Sequence, residues 1–170
     1  MEKQEALVNK IAQSGLITID LEDYWETEAV IEFDLKKYLV KELVLMEKPF
    51  REALQNIDWS IYQNKTVALH CAADALIPMW AYMLVASYLS RQQANIFFGN
   101  ITDTEEKLLL KNIEASLQQN NYQEAKVILK GCGKKPVPAS AYILASKLLM
   151  PLVKSLMFGE PCSTVPVYKK

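Results

Sequence analysis

The sequence has 170 residues, about half of them apolar, with a formal net charge of −1. This length suits a single domain that can bury a hydrophobic core without metal or disulfide cross-links. Because nucleic-acid-binding surfaces need a basic stripe, the balanced charge argues against such a partner. The longest apolar run, from Ala75 to Ala86, is too short for a membrane span, so no membrane association is expected.

The cysteine content indicates a reducing compartment. Three cysteines cannot form a complete disulfide framework. The sequence also lacks the basic and apolar pattern of a secretory leader. A cytoplasmic protein is therefore expected.

The first 60 residues predict an N-terminal extension that packs on the main sheet. A helix is expected from about Gln4 to Gln13, ending at Gly15. The runs LITID and AVIEF predict two strands, and the acidic stretch 22-EDYWETE-28 between them predicts a solvated connection. Short helices are expected after Asp34 and Pro49.

The remainder of the chain contains an internal repeat with an offset of 60 residues. Residues 62–99 align without a gap with residues 122–159, and 11 of these 38 pairs are identical. We take 61–100 as the first repeat, 121–160 as the second and 161–170 as a C-terminal tail. A helix from Thr104 to Gln118, capped by Asp103, is predicted between the repeats.

Each repeat predicts a strand, a helix and a second strand. A β-rich run is followed by a proline that opens an apolar helical run, and then by a second apolar run that ends in Phe-Gly. This is the size of a βαβ unit. The predicted fold is therefore a single α/β domain, whose parallel or mostly parallel sheet has helices on both faces. Since the helical runs are apolar nearly all round, residues such as Met79, Trp80 and Met83 are expected in the core.

The reactive residues all follow predicted strands of the repeats. His70 and Cys71 end the first strand of repeat one, and Cys132 lies in the equivalent loop of repeat two. Cys162 follows the last strand. Because ligands bind beyond the carboxyl ends of parallel strands, we expect the three cysteines and the only histidine to meet at one edge of one sheet.

Imidazole and thiolate are the ligands that zinc and iron prefer, so these four residues predict a metal site. Their spacing lacks the paired C-x-x-C motifs of zinc ribbons. Three acidic residues are further candidates as metal ligands or as partners of His70: Asp74, Asp103 and Glu160.

The loop 130-KGCGKKPVP-138 allows a second interpretation, in which the protein is a small-molecule enzyme. Nearby lysines and a following helix N-terminus would stabilise a Cys132 thiolate as nucleophile, with His70 as general acid or base. The same loop would bind an anion such as phosphate or carboxylate. The residues of this predicted anion loop are Lys130, Gly131, Gly133, Lys134 and Lys135.

A third interpretation is purely structural. Unpaired cysteines are often core residues. On this view the protein has a structural or interaction role, and the apolar repeat helices would mediate homo-oligomerisation.

Four segments resemble the domain of unknown function family 2480 of Bacteroidetes: 14-SGLITIDLED-23, 69-LHCAADALIPMWAYMLVAS-87, 129-LKGCGKKPVPASAY-142 and 157-MFGEPCSTVPVYKK-170. The resemblance covers essentially the whole chain. It implies a bacterial protein without assigned catalytic residues. It also implies an association with iron–sulfur cluster assembly proteins. The leading hypothesis is thus an accessory protein that binds zinc or iron, or handles sulfur.

Overall fold

The computed structural model describes residues 15–131 and 133–170, which divide into two compact units. The central unit comprises Glu26–Lys107, and the terminal unit combines Met1–Trp25 with Leu108–Lys170. The helix predicted from Gln4 to Gln13 lies outside the described residues.

The described residues form nine strands and four α-helices. The strands are β1 (Leu16–Asp20), β2 (Ile31–Asp34), β3 (Leu39–Val40), β4 (Val44–Leu45), β5 (Thr66–His70), β6 (Asn95–Phe98), β7 (Lys126–Lys130), β8 (Ser155–Glu160) and β9 (Ser163–Lys169). The helices are α1 (Glu47–Gln55), α2 (Met79–Arg91), α3 (Ile101–Gln119) and α4 (Ala139–Leu149).

Each unit is built on its own parallel sheet. In the central unit β2, β5 and β6 are parallel and follow that order across the sheet, while β3 and β4 form a separate hairpin. In the terminal unit the order is β1, β7, β8 and β9, and the last strand is antiparallel. The predicted α/β class with parallel pairing is confirmed, although the strands belong to separate sheets. The strand β9 occupies the segment that we described only as a C-terminal tail.

The two strand–helix–strand segments begin their elements at matching positions. Residues 66, 79 and 95 start β5, α2 and β6, and residues 126, 139 and 155 start β7, α4 and β8, so each pair of starts differs by 60. This is the offset at which the sequences align. The duplication itself stays a prediction.

One stripe of each repeat helix packs on its sheet. In α2 the buried residues are Ala81, Val85 and Leu89, spaced by four, and they belong to one core with Val67 and Leu69 of β5. The stripe of α4 has the same spacing: Ala141, Ala145 and Leu149 share a core with Val127 and Leu129 of β7. Burial on one stripe leaves the other side of each helix outside the core.

That geometry overturns the expectation that both helices are buried all round. Met79 and Met83 of α2 are 69% and 71% exposed, and Ile143 of α4 is 69% exposed. The reason is that each helix covers only one side of its sheet with a narrow stripe, so apolar residues on the opposite side face outward. Only Trp80 of the three expected core residues packs partly against the core.

The helix α3 begins earlier than predicted and has a different cap. It starts at Ile101, and the side chain of Asn100 accepts the Asp103 N–H at 2.9 Å. Asp103 in turn accepts the Asn100 N–H at 3.2 Å. Asp103 is therefore the third residue of a reciprocal capping box rather than the cap itself.

Replacing Asn100 tests this cap. We expect Asn100→Ala to lower the free energy of unfolding by about 1 kcal/mol, because the Asp103 N–H loses its side-chain acceptor. Asn100→Ser should retain most of the stability, since serine also caps helices. Urea denaturation followed by circular dichroism measures both. Equal stability of the alanine variant and the wild type would show that the box contributes nothing.

Candidate functional site

Both short strands β1 and β2 end in an aspartate that turns the chain into a 3-10 helix. Asp20 accepts the N–H of Glu22 at 3.1 Å, and Asp34 accepts the N–H of Lys36 at 2.9 Å. The helices that follow are Leu21–Tyr24 and Leu35–Tyr38. In the parallel register Asp20 lies opposite Lys130 and Asp34 opposite His70, so each sheet has an acidic and a basic residue at its carboxyl edge.

In the central unit the aspartate also holds the loop after β5. Oδ1 of Asp34 accepts the N–H of Ala72 at 3.0 Å, directly after the predicted His70–Cys71 pair. Beside it, Nε2 of His70 lies 2.8 Å from Oε1 of Glu32. The His70 side chain is only 13% exposed, so the imidazole is fixed rather than freely rotating in solvent.

The surroundings of Asp34 favour its ionised form. Partial burial opposes ionisation, but the N–H groups of Lys36 and Ala72 and the charge of His70 outweigh it, so that the pKa of Asp34 lies below its ordinary value of 3.8. Asp34 is consequently a fixed negative charge at neutral pH.

Cys71 and Tyr82 lie on the side of the sheet that α2 covers. Cys71 packs partly against the core of the central unit. Burial raises the pKa of Tyr82, and the nearby acidic groups of Cys71 and Asp34 raise it further. The phenol is therefore protonated and can donate a hydrogen bond at neutral pH.

Tyr82 also lines an open apolar pocket. Its volume is about 490 Å³, and Tyr82 and Phe98, in edge-to-face contact at 5.6 Å between ring centres, form part of its wall. Leu76 is 95% exposed and Phe98 67% exposed. The remaining lining residues are Ala75, Ile77 and Met79. Apolar side chains held open to solvent beside polar groups are typical of a ligand-binding pocket.

In the terminal unit the equivalent edge is occupied by ion pairs. Nζ of Lys130 lies 3.0 Å from Asp20 and 3.5 Å from Glu160. The hydrogen bond and charge of Asp20, followed by the weaker effect of Glu160, raise the pKa of Lys130. This lysine, predicted to bind an anion, is thus already paired with two carboxylates of the same unit.

The predicted anion loop binds a carboxylate of the protein itself. The N–H groups of Lys134 and Lys135 donate to Oε1 of Glu22 at 2.6 and 2.9 Å. The ammonium of Lys135 lies 4.0 Å from the centre of the Trp25 ring. The stretch 22-EDYWETE-28 is therefore not the simple solvated connection that we predicted, because its first residues form a 3-10 helix and hold this loop.

The predicted metal ligands are distributed over both units. His70 and Cys71 belong to the central unit, while Cys162 is exposed in the turn between β8 and β9 of the terminal unit. Cys132 lies outside the described residues. Among residues 15–131 and 133–170, no group of three or more His, Cys, Asp or Glu side chains is placed to hold a metal ion. The edge that we expected to unite all four belongs to two different sheets.

The sequence carried a signal for the aspartates that we did not use. The octets 17-ITIDLEDY-24 and 31-IEFDLKKY-38 share four residues, including the aspartate and the tyrosine. This similarity marks two equivalent strand ends. No comparable local signal marks the pairing of Glu22 with residues 134 and 135, because the partners are 112 and 113 positions apart.

Residues 5–170 match the family model described as "Protein of unknown function (DUF2480)". The chain belongs to the DUF2480 family. No curated protein and no solved structure shows significant similarity to it. No helix among the described residues of this family member is both long and apolar enough to cross a membrane.

The lowered pKa of Asp34 predicts a pH-dependent contribution to stability. Because the folded pKa lies below the ordinary value of 3.8, the contribution is present above that pH and disappears as the pH falls through the folded pKa. We expect Asp34→Asn to lower the free energy of unfolding by about 1 kcal/mol at pH 7, and to have a much smaller effect below pH 3.

Chemical denaturation at several pH values measures this difference. Asp23→Asn is the control, because Asp23 is exposed. A loss for Asp34→Asn that is the same at pH 7 and pH 2.5 would contradict the electrostatic explanation.

Proposed function

We propose that the central unit binds a small molecule at the carboxyl end of β5, with an apolar group of the ligand in the pocket beside Tyr82 and Phe98. The observation that carries this proposal is the pocket itself, whose apolar wall includes the phenol of Tyr82, and Cys71 is close enough to this phenol to affect its pKa. Ligand sites of parallel sheets commonly lie at this edge.

The polar residues give this pocket a defined chemistry. Tyr82 would donate a hydrogen bond to an oxygen of the ligand. Cys71 adds a thiol on the same side of the sheet as Tyr82. The set suits a ligand with both an apolar and a polar end.

A comparison of the two units supports this choice of site. The positions aligned with His70 and Cys71 are Lys130 and Gly131. Lys130 is paired with Asp20 and Glu160, and a side chain at Gly131 would meet the Tyr142 hydroxyl at 2.6 Å. Among the described residues, the terminal unit thus has Lys130 and Gly131 at the positions where the central unit has His70 and Cys71.

Binding can be tested by nuclear magnetic resonance with methyl-labelled methionine. A set of small aromatic and aliphatic fragments should shift the methyl signal of Met79, which lines the pocket, without shifting that of Met46. Phe98→Ala should weaken binding of the best fragment about tenfold, since it removes one wall of the pocket. Phe158→Ala is the matched control, because Phe158 makes the same contact with Tyr142 in the terminal unit.

Two outcomes would reject the pocket. The first is that no fragment shifts Met79 at millimolar concentration. The second is that Phe98→Ala and Phe158→Ala weaken binding equally, which would indicate an indirect effect on folding.

Zinc or iron binding by His70 and Cys71 is a second proposal, favoured by the contact with Glu32. Because Glu32 occupies Nε2 of the ring, Nδ1 is the nitrogen left to coordinate a metal, and a carboxylate behind a histidine ligand is a common arrangement. The adjacent thiol is a second donor. An accessory role in iron–sulfur metabolism, with cluster-assembly proteins as partners, would follow from this binding.

Titration of tag-free, reduced protein with Zn²⁺ in a calorimeter tests the second proposal. We expect one equivalent to bind, and His70→Ala and Cys71→Ser each to weaken binding at least tenfold. Cys162→Ser separates a site that includes Cys162 from one that does not. Unchanged binding in His70→Ala, or no binding by the wild type, would rule the site out.

A further inference from the structure

We infer that the outer edge of β6 is a dimer interface, at which two copies of the chain join their central sheets by antiparallel pairing of their β6 strands. The inference rests on a comparison of this edge with the equivalent edge of the terminal unit. It does not depend on a ligand in the proposed pocket.

The equivalent edge of the terminal unit is covered by an additional strand. There β8, which aligns with β6, pairs with β7 on one side and with β9 on the other. In the central unit β6 pairs with β5, and no other strand of the described residues lies against its outer edge. Phe98 of β6 is accordingly 67% exposed, whereas the aligned Phe158 of β8 is 41% exposed. Leu156 is fully buried, but the aligned Ile96 is only partly buried.

The backbone groups at the outer edge of β6 belong to Ile96 and Phe98. The N–H groups of Asn95 and Gly99 donate to backbone carbonyls at the two ends of β5, at 2.8 and 3.1 Å. Since alternate residues of a parallel strand bond to the same neighbour, the N–H and C=O groups of Ile96 and Phe98 face away from β5. The ammonium of Lys107 donates to the Phe98 carbonyl at this edge, and that oxygen has a second lone pair for a further donor.

The strand β9 shows which side chains suit such an edge. In its pairing with β8, Tyr168 lies opposite Leu156, and Val165 lies opposite Phe158. Each pair therefore joins an aromatic to an aliphatic residue, a combination that stabilises antiparallel strands.

A second copy of β6 reproduces both pairs. When two β6 strands run antiparallel with Phe97 opposite Phe97, Phe98 of each copy lies opposite Ile96 of the other. In this register the outward N–H and C=O groups of Ile96 meet those of Phe98, so the hydrogen bonds and the side chains match together. The strand Asn95–Phe98 carries no charge, so self-pairing places no like charges opposite each other. The resulting interface has twofold symmetry, as most homodimers have.

Exposed apolar residues of α2 extend this interface. The residues of β5 that pair with Ile96 and Phe98 share a core with α2, so α2 covers the face from which these two side chains project. The twofold axis places both α2 helices on that face of the joined sheet. Met79 and Met83 of α2 are mostly exposed, and flexible methionine side chains fill irregular gaps between helices. They add to the short strand pair, which alone would fall short of the roughly 800 Å² per partner typical of stable interfaces.

Light scattering of the full-length protein tests the dimer. We expect the wild type at submillimolar concentration to have twice the 19.3 kDa mass of one chain. Phe98→Lys should raise the dissociation constant at least tenfold, because it places an ammonium opposite Ile96 of the second copy. Phe158→Lys is the matched control and should leave the dissociation constant unchanged, because β9 already occupies the aligned edge. Circular dichroism checks that both variants are folded.

Disulfide cross-linking tests the register. Phe97→Cys places two cysteines directly opposite each other, with Cα atoms about 4.5 Å apart, and should form a cross-linked dimer under mild oxidation. In Phe98→Cys the two introduced cysteines would lie diagonally across the strand pair, roughly 8 Å apart, which is too far for a disulfide. Met157→Cys, at the position aligned with Phe97, should not cross-link at residue 157. Mass spectrometry of the linked peptides distinguishes these bonds from those of the native cysteines.

Three results would overturn the inference. The first is a wild type that stays monomeric at submillimolar concentration. The second is a dimer whose dissociation constant is the same in Phe98→Lys, which would place the interface elsewhere. The third is equal cross-linking of Phe97→Cys and Met157→Cys, which would indicate random collisions.

Discussion

The candidate site depends on one carboxylate at the end of each short N-terminal strand. Asp20 and Asp34 are the last residues of their strands. The side chain of each accepts a hydrogen bond from the N–H two residues further on, where the strand pairing has ended. Each also faces a basic residue across the parallel pair, Lys130 or His70. One residue type thereby ends the strand, starts the 3-10 helix and sets the charge at the edge where ligands of parallel sheets bind.

The two units use this arrangement for different chemistry. In the central unit Asp34 accepts a hydrogen bond from the Ala72 N–H, and the imidazole of His70 pairs with the carboxylate of Glu32. In the terminal unit Asp20 pairs with Lys130. The difference follows from the residues on the strands, because the aligned position of Glu32 is Thr18, which offers no carboxylate. The equivalent edge therefore has ion pairs in one unit and a histidine–carboxylate pair in the other.

The parts of the fold that depend on local pattern were predictable from sequence. Apolar runs with a helix-opening proline located β5, α2, β7 and α4, because burial on the sheet imposes a regular spacing. Contacts between distant segments were not predictable in this way. Parallel pairing joins β1 to β7 across more than 100 residues. The hairpin of β8 and β9 is local, but the proline within β9 did not indicate a strand. The pocket was missed because apolar composition does not distinguish a buried helix from one that leaves Met79 exposed.

The loop at 130–135 shows why composition alone could not assign a binding role. Glycines and lysines next to a helix N-terminus are suited to bind an anion, and the loop does bind one. The anion is Glu22, which the chain brings from 112 residues away. An external phosphate or carboxylate would have to displace a carboxylate that is already fixed by the end of β1, and it would lose the advantage of an empty site.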